Sequence, residues 1–185
     1  MHAQVQWKWD PSHSRIGFRI RHMGISMVEG AFQKADIKVT SPSEKQWDGT
    51  KVNVTIDVNS INTANQKRDA HLRSDDFFDA KKYPVIRFES TGMKKMGKDE
   101  ASGATVYEMP GMLEIKGVKK PVTLKVRYYG TIRDPWGNTR AGFRVSGEID
   151  RADFGIHYEK KTESGNLLIG RKVYLDIPVE LIKAK

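Results

Sequence analysis

Apolar and polar residues alternate along most of this chain. Ile16, Phe18 and Ile20 share one face, with Gly17, Arg19 and Arg21 opposite. In KVNVTIDV, Lys51 to Val58, the apolar face is Val52, Val54, Ile56 and Val58. Farther on, Val122, Leu124, Val126 and Tyr128 align, then Phe143, Val145, Gly147 and Ile149. The last run aligns Val173, Leu175, Ile177, Val179 and Leu181, and turns Tyr174, Asp176, Pro178 and Glu180 outward. Period two is the signature of strands. One apolar and one polar face per strand describes an antiparallel sheet solvated on one side, whereas a buried parallel strand is apolar on both.

Turn chemistry separates these runs at Ser41-Pro42, Asp48-Gly49, Pro110-Gly111 and Pro135-Trp136-Gly137-Asn138. The last of these predicts a hairpin with a longer loop. Lys116-Gly117 predicts a tight connection, and the Lys- and Gly-rich stretch Gly92 to Gly103 predicts a loop or hairpin end. One segment breaks the alternation. NTANQKRDAHLRSDDFFD, Asn62 to Asp79, predicts a short helical insertion capped by Asn62 or Thr63. Pro84 ends it before a strand resumes at Val85. The chain thus reads as all-β, with a closed antiparallel barrel and a two-sheet sandwich both compatible with the pattern. Pro178 requires a place in the last strand where no amide hydrogen bond is needed, such as an edge, a bulge or a barrel seam.

Composition narrows the chemistry. The 185 residues fit one domain, 1–185, large enough for a substantial core. The absence of cysteine excludes disulfides, thiolate metal sites and cysteine nucleophiles. No apolar run approaches the roughly 18 residues of a membrane-spanning helix, so no transmembrane segment is expected. The mostly polar and aromatic residues 1–10 lack a signal-peptide pattern. Lys and Arg total 32 against 23 Asp and Glu, a net charge of +9 that favours anionic partners and solubility alike. Basic and aromatic residues interleave at Trp7-Lys8-Trp9 and Arg127-Tyr128-Tyr129. The basic residues are spread over many strands and no nucleic-acid-binding motif is present, so no nucleic-acid partner is expected.

Several blocks together resemble the bacterial YceI-like family of lipid- and polyisoprenoid-binding proteins. They are WDPSHS at Trp9, FRIRHMG at Phe18, Gly30-Ala31-Phe32, DAHLRSDDFFD at Asp69, YPVIRF at Tyr83, GMLEIKGV at Gly111 and IDRADFG at Ile149. The resemblance runs from about Trp9 to Leu181, and Glu29 departs from the basic or small residue expected there. It implies an extended eight-stranded antiparallel barrel, lipocalin-like, with the helical insertion capping or flanking it. It also implies an isoprenoid or fatty lipid as ligand, no other cofactor, no catalytic step and often homodimeric assembly. Export to the periplasm or secretion is implied as well, with the leader lying outside this chain and a cytoplasmic location left open. The alternative is a solid-core β protein that docks on an anionic surface or a protein partner.

In such a barrel the expected ligand-binding residues are the inward ones. Ile16, Phe18, Ile20, Val54 and Ile56 come from the early strands; Leu124, Phe143, Val145, Leu175 and Ile177 come from the late ones. Phe77, Phe78 and Phe88, with Tyr83, line the wall or plug an end. His22 shares the parity of Ile16, Phe18 and Ile20, so it marks where the inner face turns polar. There it donates either to a ligand oxygen or to a backbone carbonyl. Arg68 and His71, beside Arg73, suit a phosphate head group or else form a salt-bridged cap with Asp69, Asp75 and Asp76. Asp150, Arg151 and Asp153 read as a turn clamp. His13 and His22 lie nine residues apart, about 30 Å in an extended strand, which separates them as ligands of one metal. No catalytic or metal-binding set is expected.

Overall fold

The computed structural model describes residues 3–185. Twelve strands form one sheet: β1 (Val5–Trp9), β2 (Ile16–His22), β3 (Ser26–Phe32), β4 (Ala35–Ser41), β5 (Lys51–Asp57), β6 (Ile61–Asn62), β7 (Val85–Ser90), β8 (Lys94–Lys98), β9 (Thr105–Ile115), β10 (Val118–Arg133), β11 (Thr139–Asp150) and β12 (Ile169–Lys183). Eight of them close into an antiparallel barrel in the order β1-β4-β5-β7-β9-β10-β11-β12, with β12 pairing back onto β1. The one α-helix among the described residues, α1 (Gln66–Arg73), lies between β6 and β7. Closure rather than a sandwich is the arrangement adopted.

The long strand β12 has two successive partners. Val173 to Asp176 pair with Ile20 to Gly17 of β2, and Leu181 to Lys183 pair with Trp9 to Trp7 of β1. Pro178 falls between these stretches. Its carbonyl accepts the Arg15 amide. Amide and carbonyl of an extended residue point to the same side, so the N–H that proline lacks faces the break between β1 and β2. This is the seam its sequence position requires.

Pro110-Gly111 is not the turn its composition predicts; it lies inside β9. The geometry matches that of Pro178. β9 pairs with β8 through Thr105 to Glu108 and with β7 through Gly111 to Glu114. Pro110 sits at the junction, its carbonyl accepting the Thr91 amide. Its missing donor faces the gap between two strands. The Gly92 to Gly103 stretch is likewise more ordered than its composition suggests, because it contains β8 as one arm of a hairpin with β9.

Other turns follow their residues. Lys116 and Gly117 take φ of 52° and 75° and join Ile115 to Val118 by a two-residue hairpin of the kind whose twist matches the strands. The 134–138 loop is organised by buried Asp134, which accepts from the amides of Trp136 and Asn138 and from Arg140 Nε at 2.6 Å. The helix begins two to three residues later than its sequence suggests. Asn62 Oδ1 accepts the Ala64 amide, and Ala64 turns the chain at φ 60°. Thr63 instead gives its amide and hydroxyl to buried Asp69, leaving Asn65 to cap Arg68. Competing side-chain bonds thus displaced the cap.

Candidate ligand-binding site

The inward faces of the barrel strands enclose an elongated cavity of about 690 Å³. Its wall is almost wholly aliphatic and aromatic. Val54, Ile56, Val145, Leu175 and Ile177 point inward yet are only half-buried, because they face this space and not one another. A solid core would bury them, so the solid-core alternative does not hold. Each strand residue named as ligand-binding borders the cavity, including Ile16, Phe18, Ile20, Leu124 and Phe143, whereas Val58, Tyr128 and Gly147, of the same parity as their neighbours, do not. Phe77, Phe78 and Phe88 also border it, whereas Tyr83 does not and instead packs under the turn at Gly117.

One end is closed. There Trp47 stacks within 5.2 Å of Trp7, 5.5 Å of Tyr128 and 4.6 Å of Phe143, centroid to centroid. Trp7 and Tyr128 are therefore occupied by this cluster and do not present a stacking surface. Trp47 Nε1 and Thr50 Oγ1, both buried, have no hydrogen-bond partner among the described residues. The opposite end is where exposed residues join the lining: Met23, Asn65, Lys67 and His71. That end is the mouth, formed by the β2–β3 hairpin, α1 and the segment around Tyr158.

The polar candidates converge at the mouth. His22 ends β2 and borders the cavity, as its parity predicts. Arg68 also borders it, while its Nε donates to Thr63 Oγ1 at 2.7 Å and its Nη2 to the Thr63 carbonyl. His71 packs edge-on against Phe77 and Tyr158 and pairs with Asp76 at 2.7 Å. The cap of ion pairs and hydrogen bonds and the cavity rim are thus the same structure. Arg73 does not border the cavity.

Arg151 was expected to clamp a turn, and it does more. It is 4% exposed and borders the cavity. Its guanidinium donates to the carbonyls of Gly170, Ile156, Tyr158 and Ile169 at 2.8–3.0 Å. Burial pushes its pKa down. It welds the strand after the mouth to the loop before it. The sequence reading missed lining residues of two kinds: Ile37, Val39, Met109, Leu113 and Ile115 alternate along β4 and β9, whereas Trp47, Thr50, Ile156 and Tyr158 lie in turns or irregular segments without periodicity.

His13 lies outside the cavity. It bonds Asp10 at 2.8 Å, in a cluster where Arg140 Nη1 also reaches Asp10 at 2.9 Å and Glu180 at 2.7 Å. Asp10, His13 and Glu180 offer oxygen or nitrogen atoms within 4.8 Å of one another, but the Arg140 guanidinium already bridges the two carboxylates. Hydrogen bonds from Ser12, followed by His13 and Arg140, hold the Asp10 carboxyl far below its ordinary range despite burial. The cluster anchors the turn between β1 and β2. His13 and His22 accordingly stand at opposite ends of β2. Glu29 faces outward, opposite Arg19, and alters surface charge instead of the mouth. No helix of the described residues is long and apolar enough to cross a membrane.

A closed antiparallel barrel with an apolar bore and a polar rim is a β-barrel of the lipocalin-like type. The sequence profile of the YceI-like domain matches residues 7–181, and the chain belongs to that family. Protein YceI from a strain of Escherichia coli is 41% identical over 173 residues, covering 94% of this chain and 83% of that one. A Campylobacter jejuni YCEI protein of known structure is 32% identical with a TM-score of 0.73, covering 95% of this chain and 96% of that one. A polyisoprenoid binding domain from Saccharophagus degradans shares the fold at 16% identity and TM-score 0.66, covering 96% of this chain and 98% of that one.

Proposed function

We propose that this protein binds and carries, or sequesters, a long isoprenoid or similarly shaped amphiphile, without catalysing its conversion. The tail occupies the bore and the polar head stays at the rim with His22, Arg68 and His71. The cavity of about 690 Å³, apolar along the bore and polar at the mouth, carries this reading. Burying the tail contributes about 0.8 kcal/mol per methylene-sized group, so a long chain binds tightly with little help from its head. The description of the Saccharophagus degradans relative as polyisoprenoid-binding supports the same class of ligand. The lysine and arginine groups at the rim favour a head carrying phosphate or carboxylate.

Native mass spectrometry of the purified protein, before and after organic extraction, tests the proposal. The expected result is an extractable lipid with a prenyl or fatty chain, rebound on incubation. A protein that neither carries nor takes up such a lipid overturns it. Export to the periplasm or secretion, and homodimeric assembly, belong to the same proposal. Fractionation of cells and light scattering of the purified protein test those two parts.

A further inference from the structure

Three features of the mouth are unused by tail binding alone. The first is the β2–β3 hairpin tip, Met23-Gly24-Ile25-Ser26-Met27. Ile25 is 83% exposed, and Met23 and Met27 are each 37% exposed. Met23 adopts φ 52°, a left-handed conformation in which a purely structural turn would favour Gly or Asn. Turn chemistry alone thus does not call for an apolar side chain here. Met23 also borders the cavity, so the tip is continuous with the opening.

The second feature is the segment beside the tip. The Met23 amide donates to the Leu168 carbonyl, and Gly24 lies against Asn166. In this segment Leu168 donates back to Lys160, and Lys161 bridges to Leu167, which makes a second small hairpin alongside the first. Lys160 and Lys161 are exposed, with Lys160 above the Tyr158 ring at the rim. The third feature is the charge around the opening. Arg21 and Lys67 are exposed, Arg68 lines the rim, and the Lys116 ammonium donates to the Asp75 carbonyl after α1. With Arg73, Lys160, Lys161 and Arg171 these basic groups outnumber the acidic ones that solvent reaches at this end, Asp75, Asp76, Asp150, Asp153, Glu159 and Glu163.

We infer that the mouth docks on an anionic lipid bilayer, with Met23, Ile25 and Met27 entering the interface and the surrounding lysines and arginines contacting phosphate head groups. An apolar tip inside a basic collar is the arrangement that shallow membrane binding requires. Docking in this orientation places the bore against the source of its ligand, so a tail passes from bilayer to barrel with little exposure to water. The inference rests on the proposed lipid binding for its purpose, but its test does not. The barrel's opposite end offers an internal control. Trp136 and Ile132, 80% and 65% exposed, lie at the β10–β11 hairpin away from the mouth.

Co-sedimentation with vesicles of mixed phosphatidylglycerol and phosphatidylcholine, against phosphatidylcholine alone, is the experiment. The expected result is binding to the anionic vesicles that weakens in high salt. Ile25→Asp lowers the vesicle affinity about tenfold, as does the pair Lys160→Glu and Lys161→Glu, while Trp136→Ser leaves it unchanged. Circular dichroism checks that each variant is folded. Failure of the parent protein to sediment with anionic vesicles overturns the inference. So does an Ile25→Asp variant that sediments like the parent, or an equal loss in Trp136→Ser. A patch that pairs two copies of the chain would give a mass change in Ile25→Asp without vesicle binding, which also overturns it. Loading of a prenyl lipid from detergent micelles is measured in parallel. A protein that loads from micelles yet ignores vesicles refutes docking and leaves tail binding standing; one that sediments but never loads does the reverse.

Discussion

Phe143 meets Trp47 edge-on at 4.6 Å, with the ring planes 84° apart. This contact closes the bore at the end away from α1. Phe143, with 8% exposure, is therefore part of a packed aromatic floor as well as a lining residue. Enlarging it would strain Trp47 and Tyr128 together. A variant meant to block the bore has to be placed where the inner face borders empty space.

Ile177 meets that condition, being inward, half-buried and paired with Val145 across β11 and β12. Ile177→Trp should fill the bore and cut lipid occupancy to less than about half of the parent's, while the urea midpoint changes little. Native mass spectrometry and a denaturation curve read the two quantities separately. Full occupancy in the variant would place the tail elsewhere.

Gly30, the cross-strand partner of Phe18, lies under its ring. A Cβ at this position would press on Phe18 and come within 2.8 Å of Thr63 Cγ2. Gly30→Ala is expected to cost about 1–3 kcal/mol and to push the Phe18 ring toward the cavity, reducing lipid loading. Adding Phe18→Leu should recover part of both. A double-mutant cycle with additive effects would refute the coupling.

Arg151 should matter more for stability than for ligand contact. Truncation to methionine leaves four carbonyls without their donor, at a cost of about 3 kcal/mol or more. Lysine does not restore them, because one ammonium lacks the span of a guanidinium fork. Urea unfolding of Arg151→Met and Arg151→Lys checks this, with a parent-like midpoint in the lysine variant as the contrary result.

The cluster around Arg140 sets an acid dependence. The Arg140 guanidinium, with amides of the 134–138 loop, holds Asp134 down to about 2 from an ordinary 3.8. Asp10 is lowered further, through Ser12 first and then His13 and Arg140. Both folded-state values lie below the unfolded ones, so the unfolded chain binds more protons in the intervening range. Their stabilisation is complete above about 3.8 and is lost as the pH falls through 2 and below. Arg140→Met should therefore destabilise the protein clearly at neutral pH and much less at pH near 2. Thermal melts across that range measure it, and an equal loss at both ends would refute it.

Much of the cavity wall was legible before the fold was known. Side-chain direction in a strand depends only on parity, a local property, so Ile16, Phe18, Ile20, His22, Val54, Leu175 and Ile177 could be assigned to one inner surface. The family blocks HLRSDDFFD and IDRADFG fall on α1 with the segment after it and on the Arg151 turn. Local chemistry was less reliable where long-range partners intervened. Pro110-Gly111 reads as a turn, yet the gap between β7 and β8 makes it strand. Asn62 and Thr63 read as caps, yet Ala64 and Asp69 took their hydrogen bonds.

The sequence by itself determined that the protein is all-β, which residues face inward, and that the inner face turns polar at His22. Only the tertiary structure decided that the inner face surrounds a bore of about 690 Å³ instead of a filled core. That outcome depends on how many strands close and how they tilt and stagger, which alternation along one strand does not encode. The tertiary structure also brought Trp47 to the floor and Arg151 and Tyr158 to the rim from segments without periodicity. Pairings between residues distant in the chain placed them there, most visibly β12, which meets β2 along its first part and β1 along its last.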